Sequence, residues 1–394
     1  MRYLQLDGLR GVMLISMVLS HLGAKLPLGP THNLVFKSAL LNDAASAFVF
    51  LSGLTVGLVY ARGWLDPNHA HRKSALGARA WLVFQHHAFL VVLVTVFALL
   101  VPQGASPPWI LEPYGTAPVL FGALSLLMLA GGWCLDILPM YVLFLLLTPL
   151  ALHAATTGRG WMVVVAISIA WIIGQAGLLE ASWDGMERAF HLENHAIDLG
   201  LAFNRLSWAV LYFLGLLLGC AYTSGKLDLS ALKHQRFELL LLASILLIGT
   251  LMVLLVLYLR GVLTDHVQTF AWLTSKHGLG LLALLNFAAM SFVVAWLLVA
   301  GPTSRHRSMQ AIGKGLDRLL TSAPLVLLGQ QSLLVFTCHL VGVYVFYLLV
   351  DPALLDPWSA NVVLLLGVAS LAVPALIGRA LQSRKRQAMA AGSA

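Results

Sequence analysis

Three ionisable residues lie on one apolar stretch near the start of the chain, LDGLRGVMLISMVLSH: Asp7, Arg10 and His21. An α-helix advances about 100° and 1.5 Å per residue, so Arg10 and His21 share one stripe, about 16 Å apart along the axis. Asp7 precedes Arg10 by one turn and is spaced to pair with it. Because charged groups in a bilayer usually face a protein interior or a watery cavity, the stretch predicts one wall of an intramembrane site. The alternative is a positive-inside anchor, Arg2 and Arg10, followed by an interfacial histidine.

A second segment with candidate chemistry begins at Asn42 and reads NDAASAFVFLSGLTVGLVYARG. Asp43 lies at about the depth of His21, where a carboxylate would orient the imidazole or raise its basicity. An N-cap on the second helix explains Asp43 equally well. Ser52 is interpreted as a polar residue that lines the same cavity, and Arg62 closes the segment at the opposite boundary.

A further intramembrane histidine, His339, lies well inside the apolar stretch QQSLLVFTCHLVG. It would either bind a substrate or hold a neighbouring helix through a hydrogen bond. Gln331 and Ser332 are predicted to line the same cavity, although helix packing accounts for them as well.

The composition defines the class of protein. Hydrophobic residues make up 59 % of the 394 residues and charged residues only 10 %, and long uncharged runs recur along the chain. We therefore predict an all-α, polytopic transmembrane helical bundle in a lipid bilayer. The formal net charge of +8 comes from basic residues in short loops, which indicates membrane topology and argues against a nucleic-acid partner. Three cysteines in or beside apolar segments suggest neither a disulfide framework nor a zinc site.

Ten apolar segments reach membrane length. They cover residues 6–25, 43–61, 79–101, 137–155, 161–179, 206–223, 237–259, 278–300, 323–350 and 359–380. If the short apolar segment 118–131 does not cross, 17 of the 24 Lys and Arg residues lie on the side of the N-terminus. The positive-inside rule then predicts about ten spans with both termini cytoplasmic. Residues 1–382 are predicted to form a single transmembrane domain, and residues 383–394 a short basic cytoplasmic tail.

The longest polar loop, residues 180–206, is extracytoplasmic in this topology. It combines aromatic residues with five carboxylates. Such a loop would cover a carbohydrate-binding mouth, because aromatic rings offer flat apolar faces and carboxylates accept hydrogen bonds from hydroxyl groups. A solvated connector is an equal alternative. His191 and His195 have a spacing compatible with a metal, but no further motif accompanies them, so we predict no metal site.

Several motifs together resemble known families. Arg10, then His21 eleven residues on, FVFLSG and the closing Arg62 resemble the signature of bacterial integral-membrane O-acyltransferases. Five motifs, in the family's order from the first span to the ninth, resemble the OpgC-like succinyltransferases of osmoregulated periplasmic glucans. They are LDGLRG, DAASAFVFLSGLTVGLVYAR, LDILPMYVLFLLLTPLAL, WAVLYFLGLLLG and LGQQSLLVFTCHLV.

This resemblance implies an enzyme of the bacterial inner membrane. Its reaction would move a succinyl or acetyl group from cytoplasmic acyl-CoA (succinyl-CoA or acetyl-CoA) to a hydroxyl group of a periplasmic glucan or another envelope carbohydrate, with no permanently bound cofactor. His21 is then the expected general base with Asp43 beside it, and Arg10, Arg62 and Asp7 belong to the donor site. Direct transfer and relay through an acyl-histidine both fit these residues.

The competing interpretation is a polytopic transporter or exporter of a glycan or a small anion. Ten spans, intramembrane charge and proline interruptions such as Pro139, Pro149 and Pro374 fit that class, although the sequence shows no inverted repeat. The two classes differ in what they need. An acyltransferase consumes acyl-CoA and releases a free thiol in detergent, whereas a transporter requires a sealed compartment and a gradient.

Overall fold

The computed structural model describes residues 3–28, 44–65, 71–102, 108–195, 197, 199–200, 202–262 and 267–392. Within these ranges the chain is all-helical, which confirms the predicted fold class. The α-helices are α1 (Leu4–Leu22), α2 (Ala44–Tyr60), α3 (His71–Leu99), α4 (Pro118–Leu126), α5 (Ile137–Thr156), α6 (Gly160–Gln175), α7 (Leu178–Ala189), α8 (Arg205–Thr223), α9 (Arg236–Leu259), α10 (Val267–Leu273), α11 (Leu281–Val299), α12 (Arg307–Leu320), α13 (Ala323–Gln330), α14 (Ser332–Leu349), α15 (Pro357–Ser370) and α16 (Ala372–Gly392). Short 3-10 helices cover Trp109–Tyr114, Leu192–His195, Leu229–Lys233, Gly301–Thr303 and Pro352–Leu354.

Seven helical stretches of the described chain are long and apolar enough to cross a membrane. They lie in α3, α5, α8, α9, α11 and α14 and in the continuous stretch Pro357–Arg384. The pair α6 and α7, bent by 56°, makes an eighth if it is one broken span. This is therefore a multi-pass membrane protein. A helix occupies part of each of the ten predicted segments, but α2 is shorter than these spans and α1 carries two charged residues, so the count of ten stays a prediction.

The segment predicted not to cross contains only a short helix. α4 has nine residues, which correspond to about 13 Å, whereas the hydrocarbon core is about 30 Å thick. It packs on α3, where Gly122 lies directly against the side chain of Thr95. The length of α4 agrees with a segment that stays on one side of the bilayer.

The chain divides into two compact units, each with its own packing. The first unit contains Met1–Leu40, Ser230–Met252 and Ala289–Ala394, and the second contains Leu41–Leu229 and Val253–Ala288. In the first unit, α1 packs on α12, α13, α14 and α15. Its contact with the α12–α13 region is between backbones: a Cβ at Gly8 would overlap the carbonyl oxygen of Leu320, and a Cβ at Gly11 that of Leu325.

The second unit is organised around the pair α2 and α8. Gly53 and Gly57 on α2 face Gly215 and Gly219 on α8, and a Cβ on any of the four would overlap backbone atoms of the opposite helix. Small residues four positions apart let helices approach this closely in a membrane, where van der Waals packing drives association. The two GxxxG motifs therefore determine how α2 lies on α8.

The α2–α8 contact predicts an unequal response to two glycine substitutions. Gly53→Ala should lower the thermal unfolding midpoint of the detergent-purified protein by several degrees, because overpacking typically costs about 1–3 kcal/mol. Gly249→Ala on α9 is the control. No atom lies within 4 Å of the position of its Cβ, so the higher helix propensity of alanine should leave stability equal or slightly raised. Equal midpoints for both variants would contradict the close backbone contact.

The topology predicts the location of two loops. A reporter enzyme fused after Gly158 should be active in the cytoplasm, and one fused after Glu193 should be active outside it, because that arrangement keeps most basic residues inside. Paired reporters that are active only in the cytoplasm or only in the periplasm measure both positions. Cytoplasmic activity at Glu193 would overturn the arrangement.

Candidate functional site

Two intramembrane histidines singled out in the sequence lie against each other. His21 is in the last turn of α1, and His339 is near the middle of α14. The atoms His21 Nδ1 and His339 Nε2 are 3.1 Å apart, so one donates a hydrogen bond to the other according to the tautomers. The two rings stack with centroids 5.3 Å apart and an angle of 17° between their planes. Folding thus joins two residues that are 318 positions apart in the chain.

The surroundings of this pair are largely apolar. The side chain of His339 is only 6 % exposed, and Phe336 meets its ring edge-on with centroids 5.1 Å apart. His21 is partly buried. A hydrogen bond is stronger in such surroundings than in water, and two adjacent imidazolium ions would repel each other strongly. At most one of the two rings can therefore carry a positive charge.

Tyr347 fixes the end of α1 that carries His21. Its hydroxyl group donates a hydrogen bond to the carbonyl oxygen of Leu22 at 2.7 Å and accepts one from the N–H of Lys25 at 3.3 Å. The carbonyl groups in the last turn of a helix otherwise lack a partner. Since Tyr347 and His339 both belong to α14, one helix holds the end of α1 and contacts its histidine.

The opposite end of α1 carries the residues predicted for the donor site. Asp7 and Arg10 are partly buried there, within the first unit. Gln330 Nε2 donates a hydrogen bond to Asp7 Oδ2 at 3.4 Å, and Gln5 Nε2 donates one to Asp317 Oδ1 at 3.0 Å. Polar side chains therefore contact both ends of this helix.

Gln331 interrupts the segment that the sequence predicts as a single ninth span. It separates α13 from α14, which begins at Ser332, and its backbone angles are φ −105° and ψ 23°. Its side chain is 8 % exposed and accepts a hydrogen bond from Gln382 Nε2 at 3.1 Å. Eight residues, or about 12 Å along a helix, separate Gln331 from His339. The structure thus places Gln331 against α16.

The remaining predicted residues belong to the second unit. Asp43 lies outside the described residues. Ser52 is buried, and its hydroxyl group donates a hydrogen bond to the carbonyl oxygen of Phe48 at 2.8 Å, one turn earlier in α2. Arg62 lies exposed in the turn that follows α2, where it lines a large cavity.

This cavity, which we call the basic cavity, has a volume of about 640 Å³, within the usual range for small-molecule sites. It lies between the turn that follows α2, the last turns of α5 and α8 and the first turns of α6. Arg62 and Lys226 supply two positive charges, the exposed ring of Trp161 supplies aromatic surface, and the buried Trp64 forms part of the wall. Among the described residues, no carboxylate lines the cavity. Such a site suits an anionic ligand with a flat aromatic part.

Lys226 and Trp161 are members of this cavity that sequence reasoning missed. Lys226 entered the sequence argument only as one of many basic loop residues, and Trp161 begins an apolar helix where tryptophan is common at membrane interfaces. No short motif connects either residue to Arg62. Only the packing of four helix ends brings them together.

The helices and the intramembrane histidine pair define a polytopic membrane protein with an internal polar site. The family model described as OpgC protein matches residues 2–383, nearly the whole chain. The chain therefore belongs to the OpgC family, as the sequence motifs predicted. Neither the curated proteins nor the solved structures include a significant match. Family membership suggests an acyltransferase-like role in glucan modification.

Proposed function

We propose that this chain is an O-acyltransferase of the bacterial inner membrane. It would transfer a succinyl or acetyl group from cytoplasmic acyl-CoA to a hydroxyl group of a periplasmic glucan or another envelope glycan. The observation that supports this most is the contact between His21 and His339, because a histidine held by a hydrogen bond within an apolar interior is suited to proton transfer.

His21 acts as the general base in this proposal. In the proposed tautomer the Nδ1–H of His21 donates to His339 Nε2, and His21 Nε2 is the nitrogen that takes the proton. The acceptor hydroxyl group attacks the thioester carbonyl carbon while His21 removes its proton. An ester bond forms, the carbon–sulfur bond breaks, and the proton passes to the departing thiolate of CoA. This direct route requires no protein nucleophile, although an acyl-histidine relay uses the same residue.

His339 is then a positioning residue. Its ring sets the tautomer and the orientation of His21, the role that the sequence interpretation gave to Asp43. Tyr347 contributes by holding the end of α1 against α14. A catalytic base that is held in one position and orientation accelerates the reaction more than the same group on a mobile side chain.

The basic cavity is the proposed site for the nucleotide end of acyl-CoA. Its charge and the exposed ring of Trp161 match the phosphates and the adenine ring of that donor. The helix ends that form it are those that the loop charges predict to be cytoplasmic. Arg62 contacts phosphate in this arrangement. Arg10 and Asp7, in the first unit, are the other proposed donor residues.

One structural feature favours the alternative, a transporter. The break at Gln331 places polar groups at an interruption between two apolar helices, which is typical of transporter binding sites. Donor dependence separates the two. Release of free thiol from acyl-CoA by detergent-purified protein supports the enzyme, and uptake or export that requires sealed vesicles supports the transporter.

Substitution of His21 is expected to remove most of the activity. His21→Ala should lower kcat by about 10²- to 10⁴-fold, the usual contribution of a general base, while the KM for acyl-CoA stays near that of the parent. His339→Phe should lower kcat less, because the base remains but loses its hydrogen bond. Thiol release by purified protein measures both effects.

His234→Ala is the matched control, since His234 is an exposed histidine of the first unit. It should transfer acyl groups at the parent rate. If folded His21→Ala protein did so too, His21 would be structural, and the transporter would be the better interpretation.

Arg62 is expected to contact only the nucleotide end of acyl-CoA, so its substitution should weaken binding only of donors that carry the nucleotide. Arg62→Ala should raise the KM for acyl-CoA about tenfold, since a hydrogen bond to a charged group contributes about 1.5–3 kcal/mol and this side chain is partly screened by solvent. The same variant should use acyl-pantetheine, which lacks the nucleotide, as well as the parent does. Arg159→Ala, at the same helix ends but outside the lining, should change neither KM. Equal losses with both donors would exclude the basic cavity as the nucleotide site.

A further inference from the structure

A second polar pocket lies in the second unit, at the other ends of α6 and α8. These helices have 16 and 19 residues, or about 24 and 28 Å, and the basic cavity borders the first turns of α6 and the last turns of α8. The second pocket, which we call the carboxylate pocket, has a volume of about 110 Å³. Its polar and aromatic lining comes from Glu180, Trp183, Asp184, Phe203, Asn204, Arg205 and His277.

A short loop on one side of the carboxylate pocket, residues 276–279, is held through its backbone carbonyl groups. Each of the four carbonyl groups of residues 276–279 accepts a hydrogen bond from a side chain of α6 or α8. Trp208 Nε1 donates to the first two at 3.0 and 3.1 Å, Gln175 Nε2 donates to the third, and Trp171 Nε1 donates to the fourth at 3.0 Å. The loop therefore presents His277 in one orientation.

Glu180 and His277 form the centre of the carboxylate pocket. Glu180 Oε1 accepts a hydrogen bond from Asn204 Nδ2 at 2.7 Å and lies 3.2 Å from His277 Nε2. The other nitrogen of His277, Nδ1, lies within hydrogen-bond distance of the carbonyl oxygen of Ala202. Asn204 also caps α8, accepting from two backbone N–H groups through Oδ1. The carboxylate is thus oriented by a rigid polar network.

The turn that contains Ala202 is held by Asp136, the N-cap residue of α5. Asp136 Oδ2 accepts a hydrogen bond from the N–H of Ala202 at 3.0 Å. Burial raises the pKa of Asp136 to about 7, and the hydrogen bond from Ala202 opposes that rise. Arg205 donates to the carbonyl oxygen of Met128. This contact fixes the guanidinium group, which is the one arginine or lysine charge among the described residues that line the pocket.

One oxygen of Glu180 has no role in the network. Oε2 is buried and has no hydrogen-bond partner among the described residues, although the side chain as a whole is 40 % exposed. A buried acceptor without a donor is costly, so the arrangement favours a ligand that brings a donor group. Trp183 lies beside it, in contact with Gly200, where the positive φ of 104° lets the backbone pass close to the indole ring.

We propose that the carboxylate pocket binds one sugar ring of the acceptor glycan, an inference that rests on the proposed function. A hydroxyl group of the sugar donates to Glu180 Oε2, and an apolar face of the ring packs on Trp183. Asp184 accepts from a neighbouring hydroxyl group. The volume of about 110 Å³ is well below the roughly 300–1,000 Å³ of sites that enclose a drug-sized ligand, so the pocket receives one edge of a single ring.

Charge identifies the ligand class more closely. Two carboxylates, Glu180 and Asp184, outnumber the one guanidinium group, Arg205, in the described lining of the carboxylate pocket, so the balance of charge disfavours phosphate or an acidic sugar. The basic cavity at the opposite helix ends has the reverse charge. The carboxylate pocket therefore takes a neutral, hydroxyl-rich ring.

Direct binding tests this proposal without acyl transfer. The full chain, purified in detergent, is titrated with a short neutral gluco-oligosaccharide in the absence of any donor, by calorimetry. Glu180→Gln and Trp183→Ala should each weaken binding by about tenfold or more, since each removes a contact in a partly desolvated pocket. Trp183→Phe should retain most of the affinity because it keeps an aromatic face. Thermal unfolding midpoints establish that each variant is folded.

Two controls match these substitutions. Glu193→Gln changes an exposed carboxylate of the same polar loop, and Trp358→Ala removes a tryptophan that is 76 % exposed; neither residue lines the carboxylate pocket. Both should bind the oligosaccharide as the parent does. Parent-like binding by folded Glu180→Gln and Trp183→Ala would overturn the proposal, as would a parent protein that binds no oligosaccharide.

The outcomes also separate this site from the acyltransferase function. If sugar binding depends on Glu180 but no acyl-CoA yields free thiol, the sugar site stands and the enzyme proposal falls. If His21→Ala abolishes transfer while Glu180→Gln leaves the acceptor KM unchanged, the enzyme stands and the carboxylate pocket is not its acceptor site.

Discussion

The contact of α1 with its neighbours through glycine is the constraint on which the first unit depends. Gly8 and Gly11 bring the backbone of α1 against the end of α12 and the start of α13, with no room for a side chain between them. Such contact fixes the depth and the rotation of α1, and these two quantities decide where its histidine lies. The hydrogen bond between His21 and His339 is a consequence of that packing, strengthened by its apolar surroundings.

The second unit also depends on close helix contacts through glycine. The glycines of α2 and α8 fix a rigid core, and α8 extends from the basic cavity to the carboxylate pocket. In the proposed reaction, the basic cavity would receive an anionic donor and the carboxylate pocket a neutral acceptor. Because the charged residues of these two sites lie near the two ends of α8, none of them has to be buried in the middle of the membrane, where a charge is costly.

Much of the fold follows from the sequence, because apolar length and loop charge are local properties. The stripe of Asp7, Arg10 and His21 and the buried position of His339 inside an apolar helix could also be predicted. The contact between the two histidines could not, since it depends on how distant helices pack. The break at Gln331 was missed because glutamines near a helix start give no distinct signal. Lys226 and His277 became candidates only when helix ends met in space, whereas Glu180 was already one of the five carboxylates of the loop 180–206 considered for carbohydrate binding from the sequence.

The loop of residues 276–279 is fixed through its carbonyl oxygens, and every type of amino acid has one. The indole and amide groups that hold it belong to α6 and α8, so the backbone at position 277 is held by groups outside its own side chain. His277 can therefore be exchanged for another residue while the loop keeps its course. In a relative with the same tryptophans and glutamine, a change at this one position would alter the side chain that meets Glu180 while the scaffold stays the same.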